Sequence, residues 1–384
     1  MVSGIILWCA AAALCVLLHI LAGQAWSFAV LVLVVLIPPV SSVLALAARK
    51  CAGVTLFVPP SGEKHHAATA YAELKNGSVL PLFCVRAEIT AENRLTGQTQ
   101  KLTLRLSAPP RKTVRSAFTM NSDFCGSIVV RMTRVRVFGG FPLLGFPIDG
   151  GKAQTLCVAP NTFEMQLNLP LRTGACDESD NYSMEKPGAD YTETFQIREY
   201  REGDSVKQIH WKLTQKFDRL IVRDPALPLE RSVLVLWERG GEQSPQQIDA
   251  MAEVLTSLCR ELCRQSVSCK AVWNEEETDG CAVCEMQDET ELYAMLPKLL
   301  GARLVTGGDG VVQRYLKLYG LAGGSKVIYL AARPCPLLSE LAPEQNVTCL
   351  LCDCAQVSDY GRSYLFDSAD YASALFEVDL YEGA

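Results

Sequence analysis

The sequence predicts a multi-domain chain: an N-terminal transmembrane helical hairpin, then a β-sandwich-like domain, then an α/β domain. Three observations carry this expectation. Two long uncharged apolar runs open the chain, alternating β-branched runs fill residues 54–160, and beyond Arg231 strand patterns alternate with amphipathic helix patterns. At about 150 residues per domain, 384 residues also call for two or three units.

The hairpin comes first. Residues 2–22 and 28–48 contain no Asp, Glu, Lys or Arg, and about 21 residues give roughly 30 Å of helix, enough to cross a bilayer core. Gly23 to Ser27 reads as the loop, with Trp8 and Trp26 at the membrane interface. Pro38 and Pro39 imply a kink, or an end to the second span near Ile37. A signal peptide is disfavoured, because no basic segment precedes the first run and a second run follows directly. His19 reads as a tolerated polar residue near a helix end rather than as part of a proton path. The first basic residues, Arg49 and Lys50, follow the second span and place the soluble body on the cytoplasmic side of a two-pass cell-membrane protein. Sixteen cysteines scattered through a large chain suit the same reducing side.

Within residues 54–160, runs such as VLPLFCVRAEI, KLTLRLS and SIVVRMTRVRVF are separated by turn signals at 75–78 and 95–97. The arginines of the last run alternate with apolar residues and read as the wet face of a strand. Residues 161–194, with Thr173-Gly174, 177–181 and Pro187-Gly188, read as a connecting segment. Residues 231–384 read as α/β. RSVLVLW is a strand, and Ser244 caps a helix from Pro245 to about Arg264, with Gln247 completing a capping box. VSCKAVW, Lys326 to Leu330 and Val347 to Cys352 are further strands. Asp288 and Glu291 start another helix, and Asp370 to Phe376 form a late one. The acidic loop 274–280 joins two adjacent strands.

Charge and cysteine spacing exclude several functions. A net charge of −6 speaks against nucleic acid, whose phosphates need clustered Lys and Arg. Cys281/Cys284, Cys349/Cys352 and Cys352/Cys354 lack the paired-knuckle spacing of a zinc site, so neither metal nor cofactor is expected.

Residues 195–225 form a denser constellation. Phe195 to Arg201 alternates as a strand, Glu202-Gly203-Asp204 turns, and Ser205 with Gln208 starts a helix. Val206, Ile209, Leu213 and Phe217 share one face of that helix. Leu220 to Val222 is a second strand. The ordered set Arg198-Glu199-Tyr200-Arg201, Gly203-Asp204, Ile209-His210-Trp211-Lys212 and Val222-Arg223-Asp224 resembles the signature of a prokaryotic family catalogued as domain of unknown function fifty-eight. The resemblance covers nearly the whole chain and implies a membrane hairpin, a β domain and a von Willebrand A-like α/β domain of Rossmann type. No activity is established for that family. Its members are often encoded beside a MoxR-type AAA+ ATPase and a membrane protein with a transglutaminase-like domain, which implies bacterial protein partners. Two departures stand out. Asp224 replaces the usual Glu, and Trp237-Glu238-Arg239-Gly240-Gly241 stands where many relatives keep Asp-x-Ser-x-Ser, the start of a metal-ion-dependent adhesion site. The α/β domain is therefore expected to be a metal-free relative, with too few hard oxygen ligands at that strand end.

Three readings of the signature compete. An enzyme of unknown reaction would use His210 as general base, oriented by Asp204 or Glu199. A nucleic-acid grip would stack bases on Tyr200 and Trp211, but its cations are interleaved with Glu199, Glu202, Asp204, Asp218 and Asp224. A clasp between the two soluble domains would hold its arginines bidentately and fill the join with Trp211. The clasp is favoured, in a membrane-anchored cytoplasmic interaction protein working with an AAA+ ATPase in the assembly or maturation of envelope-associated complexes.

Overall fold

The computed structural model describes residues 2–141, 144–168, 182–200, 209–217, 219–228, 233–240, 243–275, 280–303, 309–321 and 326–380, with backbone only at 2–5, 22, 182–199, 217, 223–228 and 345. The chain divides into two compact units. The first is Met1–Asn161 with Leu296–Leu304, and the second is Thr162–Met295 with Val305–Ala384.

Two helices open the first unit, α1 (Val2–Ala22) and α2 (Ala25–Ala48). Gly23, at φ +59°, ends α1 by donating its N–H to the His19 carbonyl at 3.0 Å. One helical run, Ala25–Cys51, is long and apolar enough to cross a membrane; among the described residues Ile6–Leu21 is a shorter apolar helix. Rather than ending near Ile37, α2 runs through Pro38 and Pro39 to Ala48. Pro38 has no N–H for the Val34 carbonyl, and the indole Nε1–H of Trp8 donates to that carbonyl at 2.9 Å instead. Trp8 thus serves the pairing of the helices, a role its expected interfacial position did not include.

Nine strands follow: β1 (Ala52–Phe57), β2 (Ser61–Gly62), β3 (Ala68–Asn76), β4 (Leu82–Asn93), β5 (Thr99–Ala108), β6 (Thr113–Met120), β7 (Gly126–Phe138), β8 (Gly145–Ile148) and β9 (Gln154–Val158). They form a three-stranded sheet, β1-β3-β6, and a six-stranded one, β2-β9-β7-β4-β5 with β8 on β7. Alternation sends Val54, Leu56, Ala72 and Leu74 from one sheet and Val85, Ala87, Ile89 and Val137 from the other into a single core. The end of α2 joins it through Ala45 and Ala48. At Gly126, where β7 begins at φ +141°, a Cβ would lie 2.2 Å from Asn93 Oδ1, so only glycine fits.

The second unit contains β10 (Gln166–Asn168), β11 (Tyr182–Glu199), α3 (Trp211–Phe217), β12 (Ile221–Pro228), β13 (Val233–Trp237), α4 (Pro245–Arg264), β14 (Cys269–Asn274), β15 (Cys281–Met286), α6 (Val311–Tyr319), β16 (Lys326–Ala331), α7 (Leu338–Leu341), β17 (Val347–Cys352), β18 (Arg362–Phe366), α8 (Tyr371–Ala374) and β19 (Glu377–Asp379), while α5 (Glu289–Gly301) spans the division. Its main sheet has the order β15-β14-β13-β16-β17-β18, parallel except for β15. Strands buried on both faces, such as VLVLW in β13, require helices above and below. Ser244 caps α4 with a reciprocal bond pair to Gln247, as the capping box requires. Asp288 likewise caps α5 through the Glu291 N–H at 2.8 Å.

The segment expected to be a plain connector is structured where it is described. β10 pairs in parallel with β19, and the second part of the segment belongs to β11. Pro187-Gly188 lies within β11, and the ladder absorbs it by shifting register between Tyr182, Pro187, Asp190 and Thr194. Residues 169–181 lie outside the described ones.

Candidate functional site

The signature is built around the backbone of Ile221 and Val222. In the β11–β12 ribbon Arg198 pairs with Val222 and Glu199 with Ile221. Beyond the ribbon end, the Tyr200 N–H donates to the Leu220 carbonyl at 3.0 Å. On the other side of β12, Ile209 forms an antiparallel bridge with Val222, and the His210 N–H donates to the Ile221 carbonyl at 2.8 Å. Val222 therefore lies between Arg198 and Ile209, so the chain joins three pieces of the signature through main-chain bonds. Ile209, Ile221 and Val222 are buried.

The expected helix starts later than its pattern suggests. Ile209 is in the bridge, and α3 begins at Trp211, with the His210 carbonyl accepting from Leu213 and Thr214 at 3.0 Å each. His210 Nδ1 also accepts the Leu213 N–H, at a long 3.4 Å, and the Thr214 hydroxyl accepts the Ile221 N–H at 3.2 Å. The Leu213 N–H is thus shared between the His210 carbonyl and ring, at the first turn of α3.

Within its own unit Trp211 is 59% exposed on the first turn of α3, with Lys212 exposed beside it, and so is not part of that unit's core. The helix starts after Ile209, and this rotates the buried side of the segment away from Trp211. Arg201, Gly203 and Asp204 lie outside the described residues, and Arg198, Glu199, Arg223 and Asp224 are described by backbone alone. The expected ion pairs and the Asp204 or Glu199 orienter of His210 fall on those residues.

Side-chain clasping is visible elsewhere in the same unit. Arg260 of α4 donates to the Thr162 hydroxyl and, at 2.8 Å, to the Phe163 carbonyl. Ser257 accepts the Phe163 N–H at 3.2 Å, and Gln265 donates to the Leu167 carbonyl at 3.2 Å. Phe163 also stacks at 5.5 Å on Tyr371, whose hydroxyl donates to the buried Glu253. Thr162 to Leu167 is thus strapped along α4 before β10 reaches β19. No short-range pattern marks these partners: the α4 residues lie 94 to 98 residues away and Tyr371 roughly two hundred from Phe163.

At the end of β13, Glu238 faces protein groups. Its Oε2 accepts the Val311 N–H at the start of α6 at 2.8 Å, and its Oε1 accepts from Asn274 Nδ2 at 3.2 Å. Gly310 allows this approach, since a Cβ there would lie 2.9 Å from Oε2. Burial raises the Glu238 carboxyl above its ordinary range, opposed by the Val311 N–H, the charge of Arg314 and the Asn274 amide. The neighbouring Arg239 is buried with its guanidinium 5.1 Å from the Trp237 ring centre. Burial lowers its pKa to about 10, and Glu275 opposes the shift. Gln243 closes the loop by donating to the Glu238 carbonyl at 3.1 Å.

The cysteine pairs are separated by strand geometry. Cys281 and Cys284 lie three residues apart in β15, and Cys349 and Cys352 three apart in β17, so each pair points to opposite faces of its strand. Burial pushes the Cys281 thiol up to about 11 and raises Cys349 as well. Among the described residues no group of three or more His, Cys, Asp or Glu is arranged to hold a metal ion.

No family model matches the chain, and no curated protein matches it. Several solved structures are similar over a little more than a quarter of the chain. The CARDB domain of a Pyrococcus furiosus protein is 11% identical over 28% of this chain and 87% of its own, with a TM-score of 0.22. A cohesin module from a Clostridium perfringens glycoside hydrolase is 8% identical over 28% of this chain and 96% of its own, with a TM-score of 0.23. The C-terminal domain of wzt is 12% identical over 29% of this chain and 75% of its own, with a TM-score of 0.24. Scores this low assign neither fold nor function.

Proposed function

We propose that the chain is a membrane-anchored interaction protein of the domain-of-unknown-function-fifty-eight type, in which the signature holds the C-terminal unit together and leaves a loop surface for protein partners. The observation that carries this reading is the main-chain junction at Val222, which uses signature residues as structure. On this reading α1 and α2 cross a bacterial cell membrane as a two-pass hairpin, with exposed apolar side chains such as Leu7, Ile20, Leu33 and Val43 against lipid. Arg49 and Lys50 keep the soluble units in the cytoplasm. The six-stranded sheet is a von Willebrand A-like domain whose strand-end metal site is replaced by the Glu238 contacts.

The resemblance supplies the partners: a MoxR-type AAA+ ATPase, and a membrane protein with a transglutaminase-like domain. ATP-driven remodelling by the first would act on complexes that this chain anchors at the envelope. The test is affinity capture of the tagged full chain from detergent-solubilised bacterial membranes, with mass spectrometry of the eluate. An AAA+ ATPase enriched over an untagged control is the expected result. An eluate lacking any such ATPase, from protein that remains folded, would contradict the partnership.

A further inference from the structure

We propose that the connection between β7 and β8 is a second bilayer contact, with Phe141 and Leu144 seated at the headgroup boundary beside α2. Contacts within the first unit fix its position. β7 and β8 pair from Val135 and Ile148 to Phe138 and Gly145, so residues 139–144 close a hairpin. The closed end lies against α2. A Cβ on the buried Gly139 would be 2.6 Å from the Ser41 carbonyl oxygen, so only glycine lets the two backbones come this close. The base of the hairpin is held as well: the Arg49 guanidinium lies 5.9 Å from the Phe146 ring centre, and Ala45 and Ala48 enter the sandwich core.

The level along α2 selects the occupant. Trp8 reaches the Val34 carbonyl, and the short Gly23-Gln24 link makes α1 antiparallel to α2, so α1 begins near the level of Val40. At Ser41, therefore, the helix pair ends and α2 continues alone into the sandwich. Length gives the same level. The 24 residues of α2 span about 36 Å against about 30 Å of hydrocarbon, so a core beginning at Ala25 ends within about a turn of Ser41. Residues 138–147 carry no charge, and Phe141 and Leu144 are 49% and 50% exposed. Large apolar side chains at this depth suit the boundary between headgroups and acyl chains. The neighbouring loop, tied to the end of the helix by the Gly77 N–H donating to the Cys51 carbonyl at 2.9 Å, adds the exposed Val79. A protein partner would also cover these side chains. The bilayer is favoured because α2, exposed at the same level through Val40, Val43 and Leu44, brings it there. The proposal rests on the membrane-anchor reading, and the experiment distinguishes the failure of each.

The photo-crosslinker p-benzoylphenylalanine replaces Phe141, Leu144, Leu33 or Thr99, one at a time, in the full chain. Each protein is irradiated in nanodiscs of phosphatidylethanolamine and phosphatidylglycerol, and its intact mass is measured. Leu33 is an exposed residue of α2 and reports the anchor, while Thr99 pairs with Glu92 at the opposite end of the sheet from Leu82 and Ala108 and is the negative control. A mass gain of one phospholipid is expected at Leu33 and at Phe141 or Leu144, with none at Thr99. Lipid adducts at Leu33 with none at either hairpin position overturn the second contact and leave the anchor standing. Adducts at Thr99 as abundant as at Phe141 also overturn it. So does crosslinking of both hairpin positions in native membranes to another protein and never to lipid, which assigns the hairpin to that protein. No lipid adduct at Leu33, Phe141 or Leu144 overturns the anchor and the second contact together.

Discussion

Ile221→Ala should destabilise the C-terminal unit by about 2–5 kcal/mol, whereas Trp211→Ala should change it by no more than about 0.5 kcal/mol. Ile221 is 6% exposed, its carbonyl receives the His210 N–H and its own N–H goes to Thr214. Truncation leaves a cavity at the point where β11, β12 and the start of α3 meet. Trp211 loses little, because solvent already covers most of it. This ranking reverses what the residue types alone suggest, since a tryptophan normally contributes more buried area than an isoleucine. Thermal unfolding of the detergent-solubilised full chain would check it. Equal shifts for the two variants would show that Trp211 is covered after all.

Glu238→Ala should destabilise the unit by about 1–3 kcal/mol, because it leaves the Val311 N–H and the Asn274 amide without their acceptor in a partly buried site. The pH dependence has a definite sign. Burial raises the folded-state pKa of Glu238 above its ordinary 4.5, so the native state binds this proton more tightly than the unfolded chain does. The stabilisation linked to that proton is fully present below 4.5 and is lost as pH rises through the raised value. Native protein should therefore gain stability relative to Glu238→Gln as pH falls from neutral toward 4.5. Urea unfolding of both proteins across that range measures the difference, and a constant difference would contradict the buried carboxylate.

Locally encoded features were legible in the sequence. The α4 capping box, the Asp288 cap of α5 and the buried β13, β14, β16 and β17 each depend on residues within one turn or one strand, so spacing alone identifies them. The coarse architecture, an apolar N-terminal helix followed by a β-rich multi-domain body, follows from the same periodicities. Features closed by distant partners were not legible. Pro38 signals a break, yet the break is covered by Trp8 from another helix. Pro187-Gly188 signals a turn, yet β11 accommodates it by register shifts. At the candidate site the strand–helix–strand order was readable, but the placement of Trp211 was not. The pattern assigned Ile209 to a helix, and its pairing with Val222 depends on a strand that comes later in the chain. Glu238 could be seen to break a metal motif, but its partners Asn274 and Val311 are 36 and 73 residues away.

Amide hydrogen exchange at Tyr200 and His210 in the full chain tests the structural role of the signature most directly. Both N–H groups donate across the junction, to Leu220 at 3.0 Å and to Ile221 at 2.8 Å, while neither residue lies within a helix or strand. If the signature is a main-chain junction, both amides should exchange as slowly as those of β12, and Ile221→Ala should release them together. Exchange of Tyr200 and His210 at the rate of an unstructured loop, with β12 still protected, would contradict it.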